Sequence, residues 1–460
     1  MKGGTIYCLF NICTLIRVHK KILKEKKTMK RILALMLAVV MCAALLVGCG
    51  SSEDSGTIKI GGIGPTTGGA AIYGQAVMNG CKIAVDEINA AGGIGGRQIE
   101  FQFQDDVNDS ETSVNAYNKL MDWGMDILVG TVTTNPCISV SAKVFKDRVF
   151  ALTPSASSTD VTTGKDNMFQ LCFSDPNQGT GSATYISANL ADKKIAIIYR
   201  NDDAYSQGIR DTFTAEAAAK KLEIVYEGTF TNETATDFNV QLTGTKAAGA
   251  DLIFLPIYYQ PASVILAQAK AMDYSPIFFG VDGMDGILTM ENFDKSLAEG
   301  VVVLTPFSAD ATDDLTVNFV KKYKELHGET PNQFAADGYD CIYAVKAAYE
   351  KAGCTADMST EELCDALIKT MTASDFSFDG LTGKDMTWST KGEVNKMPTA
   401  VVIENGVYVS FDSSDAPAED TPAETTAETT AETTAETVAE TTAETVAETT
   451  AETVAETTAA

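Results

Sequence analysis

Histidine and tryptophan are nearly absent, with two of each in 460 residues. One histidine, His19, lies before the Met29 start of the signal, so a mature chain keeps only His327. His327 stands before Gly328 at the expected end of a helix, where a cation is favoured by the helix dipole, and its plainest role is capping. No C-x-x-C occurs, which together with the scarcity of histidine argues against a zinc site. There is no G-x-S-x-G elbow and no phosphate loop ending in Gly-Lys-Ser/Thr. Gly92 to Gly96 precedes a strand instead of following one, so it reads as a turn and not as a dinucleotide fingerprint. An enzyme is therefore not expected, and no cofactor or metal is expected. Basic charge is also short: 35 Lys and Arg against 62 Asp and Glu leave a net charge of −27, which argues against nucleic acid or an anionic membrane surface as partner.

What is present begins with an address. Met29-Lys30-Arg31, the apolar run Ile32 to Leu46 and Leu46-Val47-Gly48-Cys49 form a secretory signal with a small-residue cleavage site. The last four residues resemble the lipobox of bacterial lipoproteins, in which the cysteine is acylated and becomes the N-terminus. The expected organisation is 1–28 as an untranslated extension, 29–48 as a lipoprotein signal peptide and 49–56 as a tether. On this reading Cys49 anchors the protein by lipid to the outer face of the cytoplasmic membrane.

The remaining cysteines, Cys81, Cys137, Cys172, Cys341, Cys354 and Cys364, are scattered through a large domain. They read as small buried thiols, with Cys354–Cys364 as the alternative pairing. At the far end, 413–460 repeats Ala-Glu-Thr-Thr or Ala-Glu-Thr-Val with no Lys or Arg. The repeat places like charges one helical turn apart and is rich in a poor helix former, so an extended, solvated, disordered acidic tail is expected.

Between these ends, strand-like and helix-like segments alternate, the pattern of parallel sheets covered by helices. Thr57 to Gly64 reads as a strand and Tyr73 to Ala91 as a helix with apolar residues at helical spacing. The same rhythm restarts at Lys194 to Tyr199. Two successive runs predict an α/β protein with two doubly wound parallel-sheet lobes joined by a hinge. The last element is a hairpin of Thr399 to Ile403 and Gly406 to Phe411 about Asn405-Gly406.

Four motifs in this order resemble the leucine/isoleucine/valine-binding family of solute receptors for ABC importers. They are Gly64-Pro65-Thr66-Thr67-Gly68 with Tyr73-Gly74; Asp86 to Ile94; Thr153-Pro154-Ser155-Ala156-Ser157; and Phe334-Ala335-Ala336-Asp337-Gly338-Tyr339-Asp340. The resemblance runs from about Ile58 to Phe411 and implies a type I periplasmic-binding-protein fold, with 57–172 and 306–378 as lobe 1 and 173–305 and 379–412 as lobe 2. It implies a free amino acid as ligand, permease subunits as partners, and a monomer. Thr133 or Thr134, the Ser155 backbone and Ser157 would hold the ligand carboxylate. Asp282 would meet the ammonium, with Asp285 as its nearest rival, and Tyr73, Tyr205, Tyr258 and Phe334 would line or cover the ligand. A sensory receptor of the same fold, or one for amides, urea or aromatic acids, is the alternative.

The carboxylate assignment also has a physical basis. Gly130 to Pro136 ends a strand and opens a helix, so free N–H groups, hydroxyls and the helix dipole converge there. Both this segment and Ser155 to Ser157 follow strands, where open α/β sheets bind ligands.

Overall fold

The computed structural model describes residues 56–410; the leader, Cys49 and the 413–460 tail lie outside the described residues. β1 (Ile58–Gly64) is buried along nearly its whole length, which explains why it reads as a continuous apolar and glycine run instead of an alternation. It lies between β2 (Ile99–Asp105) and β3 (Ile127–Gly130), and β4 (Phe150–Thr153) and β5 (Met168–Gln170) complete a five-stranded parallel sheet in the order β2-β1-β3-β4-β5. The chain thus moves outward from β1 to β2 and returns to β3. That reversal opens a crevice beyond the carboxyl ends of β1 and β3. Helices α1 (Ala71–Ala90), α2 (Ser110–Trp123) and α3 (Thr134–Asp147) connect these strands.

A second sheet has the order β12-β11-β10-β9-β8-β6-β7. β6 (Lys194–Arg200), β7 (Glu223–Phe230), β8 (Leu252–Leu255), β9 (Ile277–Gly280) and β10 (Val302–Thr305) are parallel, and the same reversal occurs at β6. The hairpin β11 (Thr399–Glu404) and β12 (Val407–Ser410) adds two antiparallel strands, so this sheet is mixed. Its turn has Asn405 at φ 54° and Gly406 at φ 72°, the left-handed pair that matches strand twist in a two-residue loop. The second lobe also contains α4 (Asp175–Asn189), α5 (Ala204–Ala219), α6 (Asn239–Ala247) and α7 (Tyr259–Ala271).

The chain then returns to the first lobe as α8 (Asp314–His327), α9 (Gln333–Ala352) and α10 (Thr360–Met371). α9 lies against α1 at glycine on both sides. A Cβ on Gly80 would stand 1.9 Å from the Ala335 carbonyl oxygen, and one on Gly338 would stand 2.5 Å from that of Val77. Backbone approach this close requires residues without side chains. His327 ends α8 before Gly328 at φ 75°, the helix-end position expected of it.

One expected boundary moves. Residues 379–396, expected in the second lobe, pack on the first. Trp388 Nε1 donates to the Gln170 carbonyl at 2.8 Å, Gln170 N donates to the Gly392 carbonyl at 2.8 Å, and Leu381 N donates to Asp340 Oδ1 at 2.8 Å. The buried indole needs a partner for its N–H, and β5 supplies it. The final crossing to the second sheet therefore falls between Lys396 and Thr399. The six cysteines among the described residues are free; Cys354 is half-buried and the other five are buried. No helix among the described residues is long and apolar enough to cross a membrane.

Candidate ligand-binding site

The first lobe contributes two loops that follow neighbouring strands. After β3, Thr133 takes an extended conformation (φ −105°, ψ 151°) as the residue preceding α3, and its side chain does not cap the helix. Its hydroxyl and that of Thr134 are buried with no partner. Such groups are costly to leave unpaired, on the order of 1–3 kcal/mol each. After β4, Thr153 Oγ1 donates to the Thr131 carbonyl at 2.6 Å and accepts from Ala156 N at 3.0 Å. Ser155 Oγ donates to the Val132 carbonyl at 2.7 Å. These bonds lock the two loops into one cradle at the amino end of α3, where unpaired donors and the helix dipole favour an anion.

The second lobe contributes Asp282, in a short 3-10 turn after β9. It is 3 % exposed. Tyr205, in the first turn of α5, donates its hydroxyl to Asp282 Oδ1 at 2.6 Å, and Asp282 N donates to Gln178 Oε1 at 3.2 Å. The Asp282 carbonyl accepts from Gln333 Nε2 of the first lobe at 2.9 Å. Burial pushes the Asp282 carboxyl up to about 6, opposed by its hydrogen bond with Tyr205. A desolvated carboxylate with neutral partners is a receptor for a cation.

Asp285, the rival acid, is already engaged. It accepts from Gly286 N at 2.7 Å and from Gln333 N at 2.9 Å, and the Tyr408 hydroxyl also bonds to it. The neighbouring tyrosines divide in the same way. Tyr259 contributes its N–H to the Tyr73 hydroxyl at 3.1 Å, while Tyr258 faces the cleft. Tyr73 reaches across the lobes, since its hydroxyl donates to the Gly283 carbonyl. Its ring lies 4.4 Å from that of Phe334 and 5.3 Å from that of Tyr258, centroid to centroid.

Tyr73, Thr133, Ser155, Tyr205, Tyr258, Asp282 and Phe334 line one small cavity, together with Val132 and Gly283. Thr134 and Ser157 stand behind this lining. The Ser157 carbonyl accepts from Asp175 N at 2.9 Å and its hydroxyl faces Gln178 Nε2 at 3.5 Å, so it points toward α4. Val132, Gly283, Gln178 and Gln333 were not anticipated. Gly283 was legible as the neighbour of Asp282, whereas the two glutamines act on the Asp282 backbone across 104 and 51 positions, a relationship no local pattern carries. The cavity measures about 10 Å³ as closed, room for roughly one water, so entry of an amino acid requires the lobes to part. No group of three or more His, Cys, Asp or Glu side chains among the described residues is placed to hold a metal ion.

The chain is similar to known proteins over most of its described length. A family model described as periplasmic binding protein matches residues 57–406. A Leu/Ile/Val-binding protein homolog 3 of Brucella melitensis is 29% identical over 329 residues, 71% of this chain and 86% of the relative. A leucine-, isoleucine-, valine-, threonine-, and alanine-binding protein of Pseudomonas aeruginosa is 28% identical over 336 residues, 72% of this chain and 87% of the relative. Among solved structures, the branched-chain amino acid transporter substrate binding protein LivJ of Streptococcus pneumoniae, in complex with isoleucine, aligns with a TM-score of 0.69 at 30% identity. That alignment covers 76% of this chain and 97% of LivJ.

Proposed function

The chain belongs to the periplasmic binding protein family, and from that premise we propose that it is the solute receptor of an ABC importer for branched-chain amino acids. The observation that carries this reading is the opposition of Asp282, a buried carboxylate from the second lobe, to the Thr133 and Ser155 cradle at the amino end of α3 in the first. An amino acid presents a carboxylate and an ammonium on one carbon. The cradle takes the carboxylate and Asp282 takes the ammonium, while Val132, Phe334 and the tyrosine rings pack on an aliphatic side chain. Thr134 and Ser157 support the cradle from behind.

Such a ligand is held by groups from both lobes, so it stabilises the closed arrangement by its differential affinity for it. The Tyr73 hydroxyl, shared between the Gly283 carbonyl and Tyr259 N, adds a contact available only when the lobes meet. The closed form then docks as a monomer on permease subunits. Cys49 carries the lipid that keeps the receptor outside the cytoplasm and beside the membrane, and the 50–56 tether gives it reach. Stable anchoring by lipid needs more than one chain, as in the multiply acylated cysteine of this lipoprotein class.

Isothermal titration against leucine, isoleucine, valine, alanine, phenylalanine, urea and benzoate tests the reading. Binding of the branched aliphatic amino acids and its loss in Asp282→Ala are expected. Heat with urea or benzoate and none with any amino acid would overturn it.

A further inference from the structure

Tyr258 borders not one cavity but two. The second, of about 320 Å³, is far larger than the inner one and takes its walls from both lobes, with Gly69 and Asn108 on one side and Arg200, Asp203 and Gln260 on the other. It lies beyond the carboxyl ends of β6 and β8, neighbouring strands at which the order of the second sheet reverses. Crevices at such a reversal are where open α/β sheets take ligands.

Two charged groups reach this space. Asp203 is 4 % exposed and precedes α5, with its carboxyl beside the first-turn N–H groups of Tyr205 and Ser206. No side chain among the described residues forms an ion pair with it, because Arg200 beside it pairs through Nε with Asp202 Oδ1 at 2.6 Å. That bond leaves the Nη donors of Arg200. Both charges lie near enough to Tyr258 to act on its hydroxyl. Burial pushes the Asp203 carboxyl up to about 6, with Arg200 opposing. A buried carboxylate outside any direct ion pair, next to a guanidinium with donors to spare, complements a zwitterion.

We propose that this outer cavity is a second ligand site, which takes an ammonium–carboxylate head with the ammonium at Asp203 and the carboxylate at Arg200. The proposal rests on reading the chain as an amino-acid receptor, yet it uses none of the inner residues except the shared Tyr258 wall. The head has two sources: a second free amino acid, or a dipeptide.

Titration of the full chain with L-leucine and with glycyl-L-leucine separates them, using Asp203→Asn, Arg200→Gln and Asp282→Asn. Thermal melting of each variant establishes that it is folded. With a free amino acid as occupant, the native chain binds two leucines, Asp282→Asn retains the outer event, and Asp203→Asn and Arg200→Gln each weaken that event at least tenfold. With a dipeptide as occupant, leucine binds once, and the same two variants weaken glycyl-leucine at least tenfold while leaving leucine unchanged. Isotherms for both ligands unaltered in Asp203→Asn and Arg200→Gln would overturn the outer site. Leucine binding unaltered in Asp282→Asn would instead overturn the inner one, so the two readings fail separately.

Discussion

Tyr205 and Asp282 are joined by a hydrogen bond of 2.6 Å, and the same hydroxyl accepts the N–H of Gly283 at 2.9 Å. One phenol therefore orients the carboxylate and fixes the turn that carries it. The relationship runs from a helix after β6 to a turn after β9, so the second lobe presents its anion as a rigid unit before any ligand arrives. Preorganisation of this kind raises affinity because less order is lost on binding.

Removal of the hydroxyl should separate orientation from packing. Tyr205→Phe keeps the ring against Tyr258 but deprives Asp282 of its charge-assisted donor, an interaction of about 1.5–3 kcal/mol. Amino-acid affinity should fall about tenfold to a hundredfold with little change in the far-ultraviolet spectrum. Calorimetry at pH 7.5 checks this, and an unchanged dissociation constant would mean that Asp282 does not meet the ligand.

The titration of Asp282 gives opposite pH trends for stability and for binding. Its folded pKa of about 6 lies above the ordinary value near 3.9, so between these values the folded chain holds more protons than the unfolded one. Its contribution to stability is complete below about pH 4 and is lost as the pH rises through about 6. Ligand-free Asp282→Asn should accordingly melt higher than the native chain at pH 7.5 and lose that advantage by pH 4. Binding runs the other way, because the ammonium needs the ionised acid: affinity should fall as the pH drops through 6, and Asp282→Asn should lack that step. Melting curves and titrations across pH 4 to 8 measure both.

Local pattern carried much of this architecture, and its failures have a common cause. The strand β1 and the Asn405-Gly406 hairpin were legible because burial on both faces and left-handed turn residues leave direct marks in sequence. Helix α4 was not. Its segment Asp175 to Asn189 holds Gly179, Gly181 and several hydroxyl residues, all weak helix formers, and only its neighbour explains them. A Cβ on Gly179 would stand 2.6 Å from the Ile209 carbonyl oxygen of α5. In the site, Asp282 was visible from its strand-turn context. The glutamines that hold its backbone and the pairing of Asp203 with the outer cavity depend on crossings between elements distant in sequence. Trp388 shifts a lobe boundary for the same reason, since its indole partner is a carbonyl on β5.

The glycine contact between α1 and α9 should be intolerant of a single methyl. Gly80→Ala gains about 1 kcal/mol of helix propensity, but the new carbon would meet the Ala335 carbonyl oxygen at 1.9 Å. Backbone must then move, and overpacking of this kind costs about 1–3 kcal/mol. The clash should prevail because neither helix can yield through a side chain. A melting temperature lowered by several degrees is expected, with ligand selectivity retained. A rise would show that α1 and α9 separate freely.

Lys396 is buried where the chain leaves the first lobe. Its Nζ donates to Thr382 Oγ1 at 2.6 Å and lies 3.5 Å from Asp337 Oδ1, while its carbonyl accepts from Asn177 Nδ2 of α4 at 3.2 Å. Asp340 holds the adjoining turn by accepting from Leu381 N and Thr382 N. Burial pushes Asp337 up to about 7, with Lys396 as the main opposing charge and with Asp340 and Asp282 adding to the rise. Lys396→Met thus leaves buried carboxylates without their cation, a loss of about 3–5 kcal/mol when one partner of such a pair is removed. The cost should be larger at pH 8 than at pH 6, because without Lys396 the Asp337 carboxyl rises further and relieves more of the cost by taking up a proton as the pH falls. Asp337→Asn in the same chain should restore much of the stability at pH 8, because it removes the orphaned charge instead of the cation. Denaturant unfolding of the single and double variants at both pH values measures the coupling. Equal destabilisation by Lys396→Met at pH 6 and pH 8, with no recovery in the double variant, would show that the lysine stabilises the crossing through its stem and not through its charge.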